Sequence, residues 1–249
     1  QQAEAAVLLA RVFMTGPSAG VERDTGHAAD LLEIAVAGSD PSAQFYLASL
    51  LLTGDGGAPE PTRGVALMET SAENGYLPAQ YELSKIYSEG DESAEDREKA
   101  LKWLTRAAEG GHGEAQFFLA NAFYNGLGVV VDKPEAMRWY RRAAEQGLPI
   151  AQRILGTAYM TGSDGLDTNP PEAVRWLTSA AQSGDPGAMF NLASIYGGEF
   201  GVARNDEQAL LWLKTASDTG LARATIALAR YTELGLGVEA DIKAAAALY

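Results

Sequence analysis

The sequence predicts an all-α fold, a stack of about six to seven helix-loop-helix units of 36–38 residues, and three ladders of equal spacing predict it. Ala43, Ala79, Ala115, Ala151, Ala188 and Ala224 recur every 36 residues, once every 37, and each is followed four residues later by a leucine, at Leu47, Leu83, Leu119, Leu155, Leu192 and Leu228. A second ladder runs through Leu31, Leu67, Trp103, Trp139, Trp176, Trp212 and Leu248, and a third through Gly75, Gly111, Gly147, Gly184 and Gly220. Repetition at this period is the mark of a solenoid, in which a single unit cannot bury its apolar face and stacking does so.

Each period holds two apolar patterns of helical spacing separated by a glycine-bearing loop. In the unit AQFFLANAFYNGLGVVVDKPEAMRWYRRAAEQG the first helix is expected over Glu114–Tyr124 and the second over Lys133–Glu145. Gly126 and Gly128 follow a helix and not a strand, and no Walker lysine follows them, so they read as an inter-helix turn and not as a phosphate cradle. The second helix has a chemical start signal. Asp24, Asp96, Asp132, Asn169, Asn205 and Asp241 share one register position, with Glu60 at the seventh place, and short side-chain oxygens there accept the first unpaired backbone N–H groups. Glu135, Glu172 and Gln208 stand where a capping box places its acidic or amide member, and Pro134, Pro170 and Pro171 suit a first turn that needs no donor. The glycine ladder then closes these helices in a left-handed conformation. Between the two signals, Ala100, Ala136, Ala173 and Ala209 let a neighbouring helix approach, and the tryptophan ladder supplies large buried area.

These residues resemble the Sel1-like repeat family, relatives of the tetratricopeptide solenoids: an A-x-x-x-L helix, a Y-x-x-G-x-G-V loop and a D-x-x-x-A-x-x-W helix ending in A-A-x-x-G. The units fall at about 1–39, 40–75, 76–111, 112–147, 148–184, 185–220 and a partial 221–249, five of them well matched, making the chain a single repeat solenoid. The resemblance implies a right-handed superhelix with the first helices on its concave face. It further implies a non-enzymatic scaffold or adaptor for protein partners, in bacterial envelope signalling, polar localisation or polysaccharide export, so a periplasmic or envelope setting is expected and a cytoplasmic one stays open. The cysteine-rich Helicobacter branch is stapled by disulfides, and this chain has Cys 0, so the penicillin-binding or β-lactamase activity proposed for that branch is not carried over.

A net charge of −14, with 33 acidic against 19 basic residues, disfavours a nucleic-acid interface, which needs clustered Lys and Arg. No apolar run reaches the length of a membrane span. The chain begins QQAEAAVLLA, without Met and inside a helical pattern, which reads as a piece of a longer protein. Catalytic candidates are sparse. His27 and His112 occupy different register positions, and His112 sits in the inter-repeat turn GGHGEAQ. The acidic loops Gly90–Glu98 and Gly162–Glu172 lack the ligand spacing of an EF-hand, so no catalytic residue, metal or cofactor is expected.

If the first helices line the inner face, their non-core positions form the candidate site. Two residues before the ladder leucines stand Phe45, Tyr81, Phe117, Arg153, Phe190 and Ile226; two residues after them stand Ser49, Lys85, Asn121, Thr157, Ser194 and Arg230. With Tyr124, these rows suit an extended peptide, or a glycan. Two readings of the aromatic row remain: a groove, favoured by Arg153 in its midst, or packing between adjacent first helices. A hydrolase or glycan-processing site on the same face and a direct glycan-binding module are the alternative functions. The open ends of the stack are expected to meet further repeats or a second copy.

Overall fold

The computed structural model describes residues 2–90 and 93–249, and among these the regular structure is entirely helical. First helices are α1 (Gln2–Thr15), α3 (Pro41–Thr53), α5 (Leu77–Glu89), α7 (Gly113–Asn125), α9 (Pro149–Thr161), α11 (Pro186–Tyr196) and α13 (Ala222–Leu234). Second helices are α2 (Thr25–Val36), α4 (Pro61–Glu73), α6 (Ala94–Glu109), α8 (Lys133–Glu145), α10 (Pro170–Gln182), α12 (Asp206–Asp218) and α14 (Ile242–Leu248). The chain packs as two compact units, Gln1–Ala115 and Gln116–Tyr249.

The ladders are the cores of these units. All six ladder alanines are buried, as are Leu47, Leu83, Leu119, Leu155 and Leu192, while Leu228 in α13 is partly open. In the first unit Ala28, Leu32 and Ala35 of α2 meet Ala43, Leu47 and Leu50 of α3, and α3 to α6 then share Ala48, Met68, Ala72, Leu83 and Trp103. In the second unit Leu177 and Ala180 of α10 meet Leu192 and Ile195 of α11, with Ala216 and Ala224 beyond. Trp103, Trp139 and Trp176 are buried, and Trp212 is half-buried. Ala136, Ala173 and Ala209 are fully buried, Ala100 is half-buried, and the same place in α4 is Gly64, where a Cβ would lie 2.8 Å from the Leu52 side chain.

The start signals act largely as expected. Asp24, Asp132, Asn169 and Asn205 each accept the backbone N–H three residues on, and Asp241 accepts two. Two positions depart. Glu60 caps nothing, because its extra methylene carries the carboxylate past the first N–H groups, towards Arg63. Asp96 is not a cap: Ser93 Oγ accepts its N–H at 3.0 Å and donates to its carboxylate at 2.8 Å, a serine N-cap that starts α6 three residues early. Gly126 and Gly128 have φ of 74° and 73°, as the turn reading requires, and the loop then locks by a bond from Asp132 N–H to Phe123 C=O at 2.9 Å.

A ladder of glutamines ties each first helix to its surroundings. Gln44, Gln80, Gln116 and Gln152 are buried. Gln80 and Gln152 donate to the carbonyls of Ala72 and Ala144 at the ends of the preceding second helices, at 3.0 and 3.1 Å. The side-chain oxygens of Gln44 and Gln116 accept from Asn74 and Gln146, just past the following second helices, at 3.3 and 2.8 Å. The equivalent residues for Gln80 and Gln152 are Gly110 and Ser183, which are too short to reach, and the side-chain oxygens of Gln80 and Gln152 have no partner.

Candidate functional site

Along the first helices, the row of Phe45, Tyr81, Phe117, Arg153 and Phe190 reaches forward as well as outward. In the first unit the Phe45 ring lies 5.3 Å from Tyr76, and Tyr81 stacks on His112 at 4.7 Å, residues that directly precede the next first helix. In the second unit Arg153 pairs with Asp185 at 3.1 Å, and Arg223 lies 4.6 Å over the Phe190 ring. Phe117 contacts Phe118 at 5.4 Å and Tyr140 at 5.7 Å. Apart from Phe117, which packs within its own repeat, these residues reach the start of the next first helix; Tyr81 is 9% exposed, the other four are half-buried, and Ile226 is exposed. Arg153 breaks the aromatic run because Asp185 does two jobs: one carboxylate oxygen caps α11 at the Ala188 N–H and the other takes the guanidinium.

The polar row is graded. Ser49 Oγ donates to the Phe45 carbonyl at 2.9 Å, and Lys85 pairs with Glu82 at 2.9 Å while lying 5.6 Å over the Tyr81 ring. Asn121 accepts from the Tyr140 hydroxyl at 2.5 Å, and Thr157 accepts from Asn191 at 2.9 Å. Ser194 is half-buried and Arg230 is exposed.

The densest polar constellation surrounds Tyr124, and Asp164 anchors it. Asp164 has φ of 56°, in the left-handed region that few residues other than glycine adopt, which turns its carboxylate back towards the preceding repeat. Lys133 Nζ donates to it at 2.8 Å, Tyr124 Oη at 3.3 Å and Ser163 Oγ at 3.2 Å, and Lys133 also lies 4.8 Å over the Tyr124 ring. Burial opposes ionisation of Asp164, but the Lys133 ammonium and the two hydroxyls outweigh it and hold its pKa below the usual carboxylate value. Tyr140 is pushed up to about 12, by burial first and then by Tyr124 and Asp164. The group carries fixed charge and hydrogen bonds, and its one cation is already neutralised. The sequence showed Tyr124 but not its partners, since an aspartate in a variable loop has no periodic signal.

Neither histidine sits in a nucleophile-base pair. His27 packs edge-on against Phe13 at 4.8 Å. His112 stands at the cap position of α7, where Nδ1 accepts the Ala115 N–H at 3.3 Å; burial lowers its pKa from 6.5, with Glu114 and Glu82 opposing. In loop Gly162–Glu172 three side chains are committed separately: Asp164 to Lys133, Asn169 to its cap, and Glu172 to Arg175 and Trp176. In loop Gly90–Glu98, Asp91 and Glu92 lie outside the described residues, and among the described residues no group of three or more metal-ligating side chains assembles. The tryptophans serve the core; Arg106, Arg142 and Arg175 lie 4.9, 4.4 and 4.2 Å over Trp103, Trp139 and Trp176. No helix among the described residues is long and apolar enough to cross a membrane.

The geometry has close relatives. The Sel1 repeat profile matches seven times, at residues 3–40, 41–76, 77–112, 113–148, 149–185, 186–221 and 222–249. The solved structure of c5321, a protective antigen present in uropathogenic Escherichia coli strains and displaying an SLR fold, is 31% identical with a TM-score of 0.78 over 99% of this chain. The chain spans about half of that protein, 52% of its length. A Sel1 repeat protein from Oxalobacter formigenes is 27% identical, with a TM-score of 0.74 over 87% of this chain and 88% of its own. Immunity protein PA5088 from Pseudomonas aeruginosa, at 20% identity and a TM-score of 0.52 over 88% of this chain and 82% of its own, shares the fold. Sel1 repeat proteins are generally protein-interaction scaffolds, and the fold is typically non-catalytic. With the profile running from residue 3 to residue 249, the chain belongs to the Sel1 repeat family.

Proposed function

We propose that this chain is a non-enzymatic adaptor that holds a protein partner along the first-helix faces of its repeats. The observation that carries the reading is the pairing of two rows on those helices: half-buried rings at Phe45, Phe117 and Phe190, and polar groups at Lys85, Asn121, Thr157, Ser194 and Arg230. Rings held by packing, Phe45 on Tyr76, Phe117 on Tyr140 and Phe190 under Arg223, present apolar edges at little further entropic cost, and the polar row supplies hydrogen bonds to an extended backbone. The second helices offer less of this: Trp103, Trp139 and Trp176 are buried, so charged pairs such as Arg138–Glu135 and Arg175–Glu172 stand on their outer side without a row of rings beside them.

The setting we propose is the bacterial envelope. The relative c5321 is a protective antigen, which supports a location the immune system reaches. Immobilised chain is expected to retain a protein from envelope extracts, and Lys85→Glu with Arg230→Glu is expected to lose it while Arg138→Glu with Arg175→Glu keeps it. Equal retention by both double variants would refute the first-helix assignment.

A further inference from the structure

From residue 116 onward the first helices are short of acid in an acidic chain. The sequence has 33 acidic against 19 basic residues, yet positions 116–125 of α7 carry no charge, α9 carries only Arg153, α11 carries none, and α13 carries Arg223, Arg230 and Glu233. Arg153 pairs with Asp185 at 3.1 Å and Glu233 accepts from Tyr249 at 3.1 Å. Neither Arg223 nor Arg230 enters an ion pair among the described residues. Arg223 also stands in the first turn of α13, where a helix favours acid, so helix stability does not account for it. It lies 4.6 Å over the Phe190 ring.

The same side of these helices carries an apolar island. The repeats put Ile150 in register with Glu114, Gly187 and Arg223, and Phe118 in register with Ile154, Asn191 and Ala227. Phe118 is 48% and Ile150 39% exposed, and Ile154 is half-buried; they sit in the fourth and fifth of the seven repeats, away from either end of the stack. The Phe117 ring meets Phe118 edge-on at 5.4 Å. Between the island and the arginines α11 presents Gly187, Asn191 and Ser194, small or polar, and Asn191 donates to Thr157 of α9 at 2.9 Å, which joins the two helices on this side. We propose, on the strength of the adaptor reading above, that this face takes an extended, acidic segment of the partner, which seats one large apolar side chain on Phe118, Ile150 and Ile154 and lays carboxylates against Arg223 and Arg230. A buried apolar anchor supplies affinity, and unpaired guanidinium groups select carboxylates over basic groups. Packed helices stand about 8–10 Å apart, so α9 and α13, two steps apart, are separated by roughly 16–20 Å. An extended chain rising about 3.3 Å per residue crosses that in about five to six residues.

The test is fluorescence anisotropy on the 249-residue chain. The probes are labelled peptides of Gly, Ser and Thr that carry one Phe and a Glu-Glu pair at graded spacings, with Lys-Lys in place of Glu-Glu, or Ser in place of Phe, as controls. Binding is expected to be tightest near the spacing derived above, to weaken with added salt, and to fall about tenfold in Ile150→Glu and in Arg223→Glu, while the Lys-Lys peptide gains on Arg223→Glu. Ile150→Glu introduces the residue type that α7 already holds at Glu114, and Arg223→Glu relieves the helix dipole as it loses the ring contact. Both variants are therefore expected to keep the native circular dichroism and melting temperature. No binding of any Glu-Glu peptide, equal binding of Glu-Glu and Lys-Lys peptides, indifference to spacing, or unchanged binding by the two variants would overturn the proposal. Those results would leave the adaptor reading in place, since that reading stands or falls with retention of a protein from extracts.

Discussion

Trp139 and Trp176 are equivalent residues that differ in one hydrogen bond, which makes their phenylalanine variants a sharp comparison. They are 8% and 7% exposed, and each carries an arginine over its ring. Trp176 Nε1–H donates to Glu172 at 3.0 Å, whereas the buried Trp139 Nε1–H has no acceptor. Replacing either indole with a benzyl ring removes a similar apolar area, roughly 60 Å², for a shared cost of about 1.5 kcal/mol at about 25 cal/mol per Å². Trp176→Phe also loses a hydrogen bond to a partly exposed carboxylate, roughly 1 kcal/mol after solvent screening. Trp139→Phe instead removes an unsatisfied donor and recovers roughly 1 kcal/mol. Trp176→Phe should therefore be less stable than Trp139→Phe by about 2 kcal/mol, roughly 4–8 °C in melting temperature for a chain of this size. Urea denaturation followed by circular dichroism reads the difference directly. Equal losses, or a larger loss at Trp139, would refute the assignment of the two indole N–H groups.

Three further outcomes are expected. Ser183→Gln, at a backbone conformation of φ −82° and ψ 6° that matches Gln146 at −83° and 4°, should supply the donor missing at Gln152 and raise stability by about 1 kcal/mol in thermal melts. Gly110→Asn at the corresponding place should destabilise, because its Cβ would fall 2.2 Å from Leu77. His112 has a folded-state pKa below its ordinary 6.5, so its contribution is fully present above that value and is lost as pH falls through the lowered one; the exchange protection factor of the Ala115 amide, taken relative to the base-catalysed intrinsic rate, should fall on acidification, and His112→Asn should abolish that fall.

The fold was legible because its signals repeat. The α7 expectation, Glu114–Tyr124, falls one residue short at each end of Gly113–Asn125, and the α8 expectation matches Lys133–Glu145. The start of α6 was missed because Asp96 occupies the cap register while Ser93, off the ladder, does the capping. Gln44, Gln80, Gln116 and Gln152 recur at the period of the first four ladder leucines, yet a polar side chain adds nothing to an apolar pattern. What the rows on the first helices touch was not legible. Arg153 in the aromatic row speaks for a partly solvated groove, and its side chain is 32% exposed, but no spacing names its partner Asp185, 32 residues away in the chain, or the Asp164 that Tyr124 meets across 40. Such pairs depend on how one repeat's loop reaches its neighbour, which spacing within a repeat does not encode.

The central claim is that partners bind the first-helix faces, and photo-crosslinking in living cells tests it most directly. A benzophenone side chain introduced singly at Lys85, Arg230 or, on a second helix, Arg138 reports which face is occupied, since all three side chains are solvent-accessible. The account predicts a discrete protein adduct from Lys85 and from Arg230 and none from Arg138. An adduct at Arg138 alone, or attachment of polysaccharide in place of protein at the first-helix positions, would contradict it.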